Sequence, residues 1–292
     1  MRVFLHFLSL PRPLNMLLSG AAVMALQYFL NPLEFQFTKS LTAALVVAAT
    51  LGAGNILNDL LDVVPDQKNH PHRFLARYPE RRSQAWAYLV VLMACVAILM
   101  LSSKQIHNTA LVLLGSGIFF LLFLYNFWLK KIPLVGNFCV ALMAASVVPF
   151  SMLWLQGEGI GDKVRPTEVL AVYFLFILFS HLSRELIKSI QDHPGDVFRQ
   201  KHTLLSLAGL RLTQFLLSIL LSILLALVLV LIARENHSLN PVGWLALGTS
   251  GYFFGRTLIK LNQLSETGGP VKLSRWLKSS MATGILSLVC WN

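Results

Sequence analysis

The segment Asn58-Asp59-Leu60-Leu61-Asp62-Val63-Val64-Pro65-Asp66 sets three carboxylates at intervals of three and four residues, and Arg73 follows seven residues later. Spacings of three and seven bring acids to one face of a helix, within about 60° at 100° per residue. A second segment, residues 184–203, reads RELIKSIQDHPGDVFRQKHT and carries the same Asp-x-x-x-Asp spacing at Asp192 and Asp196. Aligning Asp196 with Asp66 lays Asp192 over Asp62 and Ser189 over Asp59, and a proline stands between the acids in both. Paired sites in two halves of a membrane protein often face each other across a cavity. Carboxylates gathered in this way repel one another and are costly beside lipid. A hard divalent cation removes the conflict. Mg²⁺ takes one or two carboxylates, keeps several waters and shares its remaining positions with phosphate oxygens. Asp59, Asp62, Asp66, Asp192 and Asp196 are therefore expected to hold Mg²⁺ carrying a diphosphate. Arg73, Lys130 and Lys188 are the bases expected on the phosphate oxygens, where a metal and cations together neutralise a departing diphosphate.

Each feature also has a plainer reading. An acidic run at a helix end can simply solvate that end, and Lys130-Lys131 can be a positive-inside anchor. Arg77, Arg81 and Arg82 read as solvated or lipid-contacting residues. His70, His72, His193 and His202 flank the motifs, but no cysteine lies near them and no helical ligand pairing suggests zinc.

The elements that must position these residues are apolar. Of the 292 residues, 55% are hydrophobic and 13% charged, and the mean hydropathy is +0.65. That profile is a polytopic membrane protein. Stretches long enough to cross a hydrocarbon core roughly 30 Å thick recur at 13–31, 40–57, 84–102, 109–127, 134–155, 168–187, 212–233, 241–259 and 276–291. The expected fold is an all-α membrane protein: nine transmembrane helices around a central cavity, capped by two cytoplasmic Asp-rich loops, in a single domain over 1–292. Pro65 and Pro194 are expected to fray the helix before the last aspartate of each motif. With the N-terminus inside, every Lys and Arg except Lys39, Lys104, Lys163, Arg165 and Arg234 falls on the cytoplasmic side, as the positive-inside rule requires.

That rule and contact with anionic lipid explain most of the net charge of +11, so nucleic acid is not an expected partner. Cys95, Cys139 and Cys290 have no metal-ligand spacing, and an odd scattered count speaks against a disulfide framework. Residues 1–25 are read as a retained first span, because Pro11 and Pro13 and a weakly basic start fit a cleaved leader poorly.

At these residues the chain resembles the UbiA superfamily of intramembrane prenyltransferases. The family pattern Asn-Asp-x-x-Asp-x-x-x-Asp stands complete at Asn58, Asp59, Asp62 and Asp66, and its Asn-x-Pro-x-Arg continuation at Asn69 to Arg73. The second family motif stands at Asp192 to Asp196, with Gly195 before its final aspartate. The opening Arg12-Pro13-Leu14-Asn15 and the stretch LYNFWLKKIPLVGN at 124–137 also agree. Within the superfamily, RELIKSIQD is similar to the Arg-Glu-x-x-Lys-Asp-x-x-Asp of the geranylgeranylglyceryl-phosphate geranylgeranyltransferase group. The chain departs from that pattern at Ser189, where the group has Asp, and at Gln191. It departs again at Phe74-Leu75-Ala76-Arg77, where the family continues Pro-Leu/Ile-Pro-x-Gly.

The resemblance implies a polyprenyl diphosphate donor whose tail lies among the helices. It implies Mg²⁺ held by Asn58, Asp59, Asp62, Asp192 and Asp196, with Asp66 beside them, and a small acceptor that captures an allylic cation. Arg-Glu-x-x-Lys favours a phosphorylated, lipid-pathway acceptor such as a prenylglycerol phosphate; a quinone-pathway aromatic acceptor is the alternative. Non-enzymatic readings are a cation transporter or a lapsed, lipid-binding relative. Transporters bury carboxylates at mid-bilayer in broken helices, whereas these lie at helix ends.

Overall fold

A backbone amide in hydrocarbon has no water to bond, so a chain this apolar must satisfy its hydrogen bonds within each segment. In a computed structural model, every regular element among the described residues is helical. The structure describes residues 2–155, 167–197, 204–234, 240–265 and 268–290, without the side chains of 2, 65, 68, 69, 167, 192–197 and 234. The α-helices are α1 (Arg2–Leu8), α2 (Pro13–Leu30), α3 (Phe37–Leu61), α4 (Val63–Asn69), α5 (Phe74–Arg77), α6 (Arg82–Ser102) and α7 (Thr109–Phe127). There follow α8 (Val135–Ala145), α9 (Val147–Leu155), α10 (Thr167–Val197), α11 (Leu204–Arg234), α12 (Pro241–Ile259) and α13 (Gly269–Ser287).

Among the described residues, seven helical stretches are long and apolar enough to cross a membrane: Val3–Leu30, Phe37–Leu61, Pro79–Ser102, Thr109–Phe127, Val135–Leu155, Glu168–Gln191 and Leu204–Ala233. The chain is an all-helical integral membrane protein. The last two of the nine expected spans are helical as well, as α12 and α13, but are not among the seven. Their sequences explain this. Gly243, Gly248, Gly251, Gly255 and Arg256 dilute α12, and Lys272, Arg275 and Lys278 punctuate α13. Within α11, Gly209 sits at φ 75° and interrupts the helix, so the regular part begins beside the expected start at 212.

The Asp-rich segments are helices rather than loops. Pro65 lies in the first turn of α4, where a missing N–H costs nothing, and the bend falls one position before that helix, at Asp62 (φ −102°, ψ 16°). Helix α10 runs through Pro194 to Val197. Neither proline therefore ends its helix before the last aspartate.

The chain divides into two compact units. The first holds residues up to Gln27, then Pro32–Asn126, then α9 from Pro149 onward. Its core under the first motif joins Leu10, Ile56, Leu60, Val63, Phe74, Leu75 and Ala85, with Phe7, Tyr78 and Tyr88 packed against it. Phe7 meets Phe74 at 5.4 Å and Tyr88 at 5.3 Å between ring centroids, within the range where aromatic pairs attract. On α7 only Leu111 and Asn126 are buried, and Leu113, Phe120 and Phe123 are exposed. An apolar face of this kind suits lipid.

The second unit comprises Tyr28–Asn31, Phe127–Val148 and helices α10 to α13. Here α13 is stitched to its neighbours by buried hydroxyls. Ser250 donates to the Ser280 carbonyl at 2.9 Å, and the Tyr173 and Ser287 hydroxyls are bonded at 2.8 Å. Arg256 lies 4.6 Å from the Trp276 ring centroid and Lys272 lies 5.3 Å from it, so the cations of α12 and α13 rest on an aromatic face. Helix α13 approaches α10 at Gly284, where a Cβ would run into the Phe176 ring.

Gly284→Val should therefore lower the thermal unfolding temperature in detergent, by the equivalent of about 1–3 kcal/mol for overpacking. Gly117→Ala, whose Cβ would meet nothing within 4 Å, should leave it unchanged or raise it slightly.

Candidate active site

Helix α3 delivers the first motif. Its C-terminal turn holds Asn58 and Asp59, Asp62 is the hinge into α4, and Asp66 lies in that short helix. The hydrogen-bond register continues through the bend: the Asp62 amide bonds the Asn58 carbonyl at 3.0 Å, and the Asp66 amide bonds the Asp62 carbonyl at 2.8 Å. Asp59 and Asp66 therefore stay on one side, as their spacing predicts. Each is only 4% exposed, and a carboxylate so buried needs partners.

Guanidinium groups meet that need. Arg73 donates from Nη1 to Asp66 Oδ2 at 2.7 Å, and the same nitrogen is 3.6 Å from Asp59 Oδ1. Arg12 donates from Nη2 to Asp59 Oδ1 at 2.8 Å and from Nη1 to Asn55 Oδ1 at 2.8 Å. Asn55 in turn donates to the Pro11 carbonyl at 3.1 Å. Two arginines of the chain thus set positive charge beside Asp59 and Asp66. Arg82, expected to be solvated or to face lipid, instead donates to the Leu60 carbonyl at 3.0 Å and closes the end of α3.

Nothing in its spacing marks Arg12 as a site residue. It sits between Pro11 and Pro13 at φ 58°, in the left-handed region that non-glycine residues rarely occupy. Its carbonyl accepts from Asn15 at 2.9 Å and Met16 at 3.2 Å, at the start of α2. Gly52 makes the approach possible: a Cβ there would stand 3.1 Å from Pro11 Cβ and 3.0 Å from the Met16 sulfur. The readable signal was Asn55, four residues ahead of Asp59 and so on its face of the helix.

The remaining bases lie in the second unit. Lys130 belongs to a single 3₁₀ turn, Leu129–Lys131, after α7. Gly136 lets α8 press against that turn, since a Cβ there would lie 3.0 Å from the Lys130 Cα and the Leu129 carbonyl oxygen. On α10, Glu185 accepts from Arg184 at 2.9 Å and is 3.8 Å from Lys188. The Ser189 hydroxyl, at the position where the related pattern has aspartate, donates to the Leu186 carbonyl at 2.8 Å. The backbone of Asp192 and Asp196 is helical, and their side chains lie outside the described residues.

Among the described residues, no group of three or more His, Cys, Asp or Glu is set to hold a metal ion. The donor chemistry nevertheless suits magnesium. Asp59 and Asp66 offer hard oxygens close enough to share one guanidinium nitrogen, and hard oxygens are what Mg²⁺ selects.

Comparison with known proteins identifies the family and the fold. The model of the UbiA prenyltransferase family matches residues 16–273. A digeranylgeranylglyceryl phosphate synthase of Methanoculleus marisnigri is 31% identical over 208 residues, covering 71% of this chain and 70% of its own. The enzyme of the same name from Methanosphaera stadtmanae is 24% identical over 281 residues, covering 96% of this chain and 97% of its own. Among solved structures, one described as digeranylgeranylglyceryl phosphate synthase in membranes superposes with a TM-score of 0.72 at 21% identity, covering 99% of this chain and 98% of that one. The apo structure of a UbiA homologue from Aeropyrum pernix K1 gives 0.69 at 16% identity, covering 92% and 98%. Motif, fold and family model converge, and the chain belongs to the UbiA prenyltransferase family.

Proposed function

We propose that this prenyltransferase moves a geranylgeranyl-type group from its allylic diphosphate to a hydroxyl of a prenylglycerol phosphate, forming a second ether bond. The observation that carries the reading is the likeness, over nearly the full length, to an enzyme named digeranylgeranylglyceryl phosphate synthase. The Arg184-Glu185-x-x-Lys188 pattern supports it. In the reaction, the allylic C–O bond breaks, diphosphate leaves with the electron pair, the glycerol oxygen bonds the allylic carbon, and the hydroxyl proton passes to solvent.

The residue roles follow from each motif taken by itself. Asn58, Asp59 and Asp62 of the first motif are assigned to divalent-cation binding, with Asp66 an auxiliary carboxylate held by Arg73, and the same role is assigned to Asp192 and Asp196 of the second. Magnesium bound there would supply charge neutralisation for the departing diphosphate. Arg73, Lys130 and Lys188 are assigned to phosphate oxygens, for which a guanidinium fork and point-charge ammonium groups are suited. Apolar helix surfaces accommodate the prenyl tail and keep water from the allylic cation. We place the motifs on the cytoplasmic side of nine spans, including α12 and α13, on the distribution of Lys and Arg.

Full-length protein in nanodiscs, given Mg²⁺, geranylgeranyl diphosphate and geranylgeranylglyceryl phosphate, should release diphosphate and yield the diether by mass. Product formed only with 4-hydroxybenzoate would instead move the chain to the aromatic branch. Asp59→Ala and Asp192→Ala should each abolish turnover in folded protein, and wild-type rates in both would remove the metal assignment. Chelation with EDTA should stop the reaction, and added Mg²⁺ should restore it; unchanged turnover in EDTA would exclude a divalent-cation requirement.

A further inference from the structure

We propose that Arg12 is a positioning residue for Asp59, orienting this carboxylate toward a divalent cation while the rest of the site binds the donor. The inference rests on the metal assignment made above and adds a residue that lies outside both Asp-rich motifs.

Three observations carry it. The first is the division of the Arg12 fork: one nitrogen goes to Asn55 Oδ1 and the other to Asp59 Oδ1, each at 2.8 Å. These partners stand one turn apart on α3, so the planar guanidinium is fixed at two points and cannot swing about either bond alone. Asn55 is itself tied to the Pro11 carbonyl at 3.1 Å, which closes a ring of contacts between the α1–α2 elbow and α3.

The second is which oxygen is taken. Arg12 and Arg73 both face Asp59 Oδ1, at 2.8 and 3.6 Å. The hydrogen bond from Arg12 is thus made to one oxygen of the carboxylate, Oδ1. Metal-bound carboxylates are commonly held in this manner, with one oxygen bonded to an outer partner and the other presented to the ion.

The third is the backbone cost. Arg12 holds φ 58°, and such positions persist only where surrounding contacts over-determine them. A glycine between the two prolines would relieve the strain and lose the side chain. The close approach at Gly52 serves the same end by letting Pro11 lie against α3.

A plain tether between the elbow and α3 would also use these bonds, and the test separates the two roles. Full-length protein in nanodiscs is titrated with Mn²⁺ in the presence of geranylgeranyl thiolodiphosphate, an unreactive donor analogue, and bound Mn²⁺ is read by electron paramagnetic resonance. Thermal unfolding is followed in parallel. Arg12→Gln and Asn55→Ala should weaken Mn²⁺ binding by about tenfold or more, the lower range for loss of an outer-shell partner, and Arg12→Lys should recover only part of it. Arg81→Gln, at an exposed ion pair with Glu80, is the control and should bind as wild type. If Arg12→Gln does not fold, Arg12→Lys and Asn55→Ala decide. Wild-type Mn²⁺ affinity in folded Arg12 and Asn55 variants, even with lowered unfolding temperatures, would reduce Arg12 to a tether and overturn the proposal alone. Failure of the wild-type protein to take up Mn²⁺ with the analogue would overturn this proposal together with the metal assignment beneath it.

Discussion

Two carboxylates buried at the end of a membrane helix are the constraint around which the first unit is arranged. Asp59 and Asp66 are almost inaccessible, and an isolated charge in such a place would be strongly unfavourable. The chain answers with arginines drawn from two directions. Arg73 arrives from the segment just after α4, and Arg12 from the elbow between α1 and α2. Arginine suits both tasks because it stays charged and offers several donors in one plane.

Those bonds need the backbone to be held at close quarters, and apolar packing does this. The cluster of Leu10, Ile56, Leu60, Val63, Phe74, Leu75 and Ala85 joins the elbow itself, the end of α3, both short helices and the start of α6. His6 bonds the His72 carbonyl at 2.8 Å and packs edge-on against Phe74 at 5.4 Å, so the segment carrying Arg73 is fastened from the N-terminal side. Arg82 caps α3 from the start of α6. Polar chemistry at this helix end is therefore supported by an apolar and aromatic layer, and the order of the one depends on the packing of the other.

The second unit solves a different problem, that of packing helices which are not continuously apolar. Small residues and buried hydroxyls let α13 lie close to α10 and α12, and the cations along α12 and α13 are spread over the Trp276 face. Glu185 gathers Arg184 and Lys188 on the helix that carries the second motif. Ser189 turns its hydroxyl back to its own helix. The change from aspartate there thus removes a charge and leaves the polar group satisfied.

The sequence by itself determined the helical class, most of the spans, the acid spacing and the family. All of these rest on short-range periodicity, which acts within one helix and is legible in a single chain. The placing of Asp59 and Asp66 on one side belongs to this category. Tertiary structure decided what spacing cannot encode. Arg12 stands 47 positions before its partner Asp59, and the packing of the elbow on α3, close at Gly52, makes them neighbours. The position of the bend was also decided there: a proline reads as a break, yet Pro65 occupies a first turn whose N–H has no helical partner, so the chain bends at Asp62 instead. In the same way Arg82, one of several arginines in a basic run, was assigned to the Leu60 carbonyl by the packing of α6 on α3. Long-range charge pairing is a property of the folded surface, and composition and periodicity carry no record of which surfaces will meet.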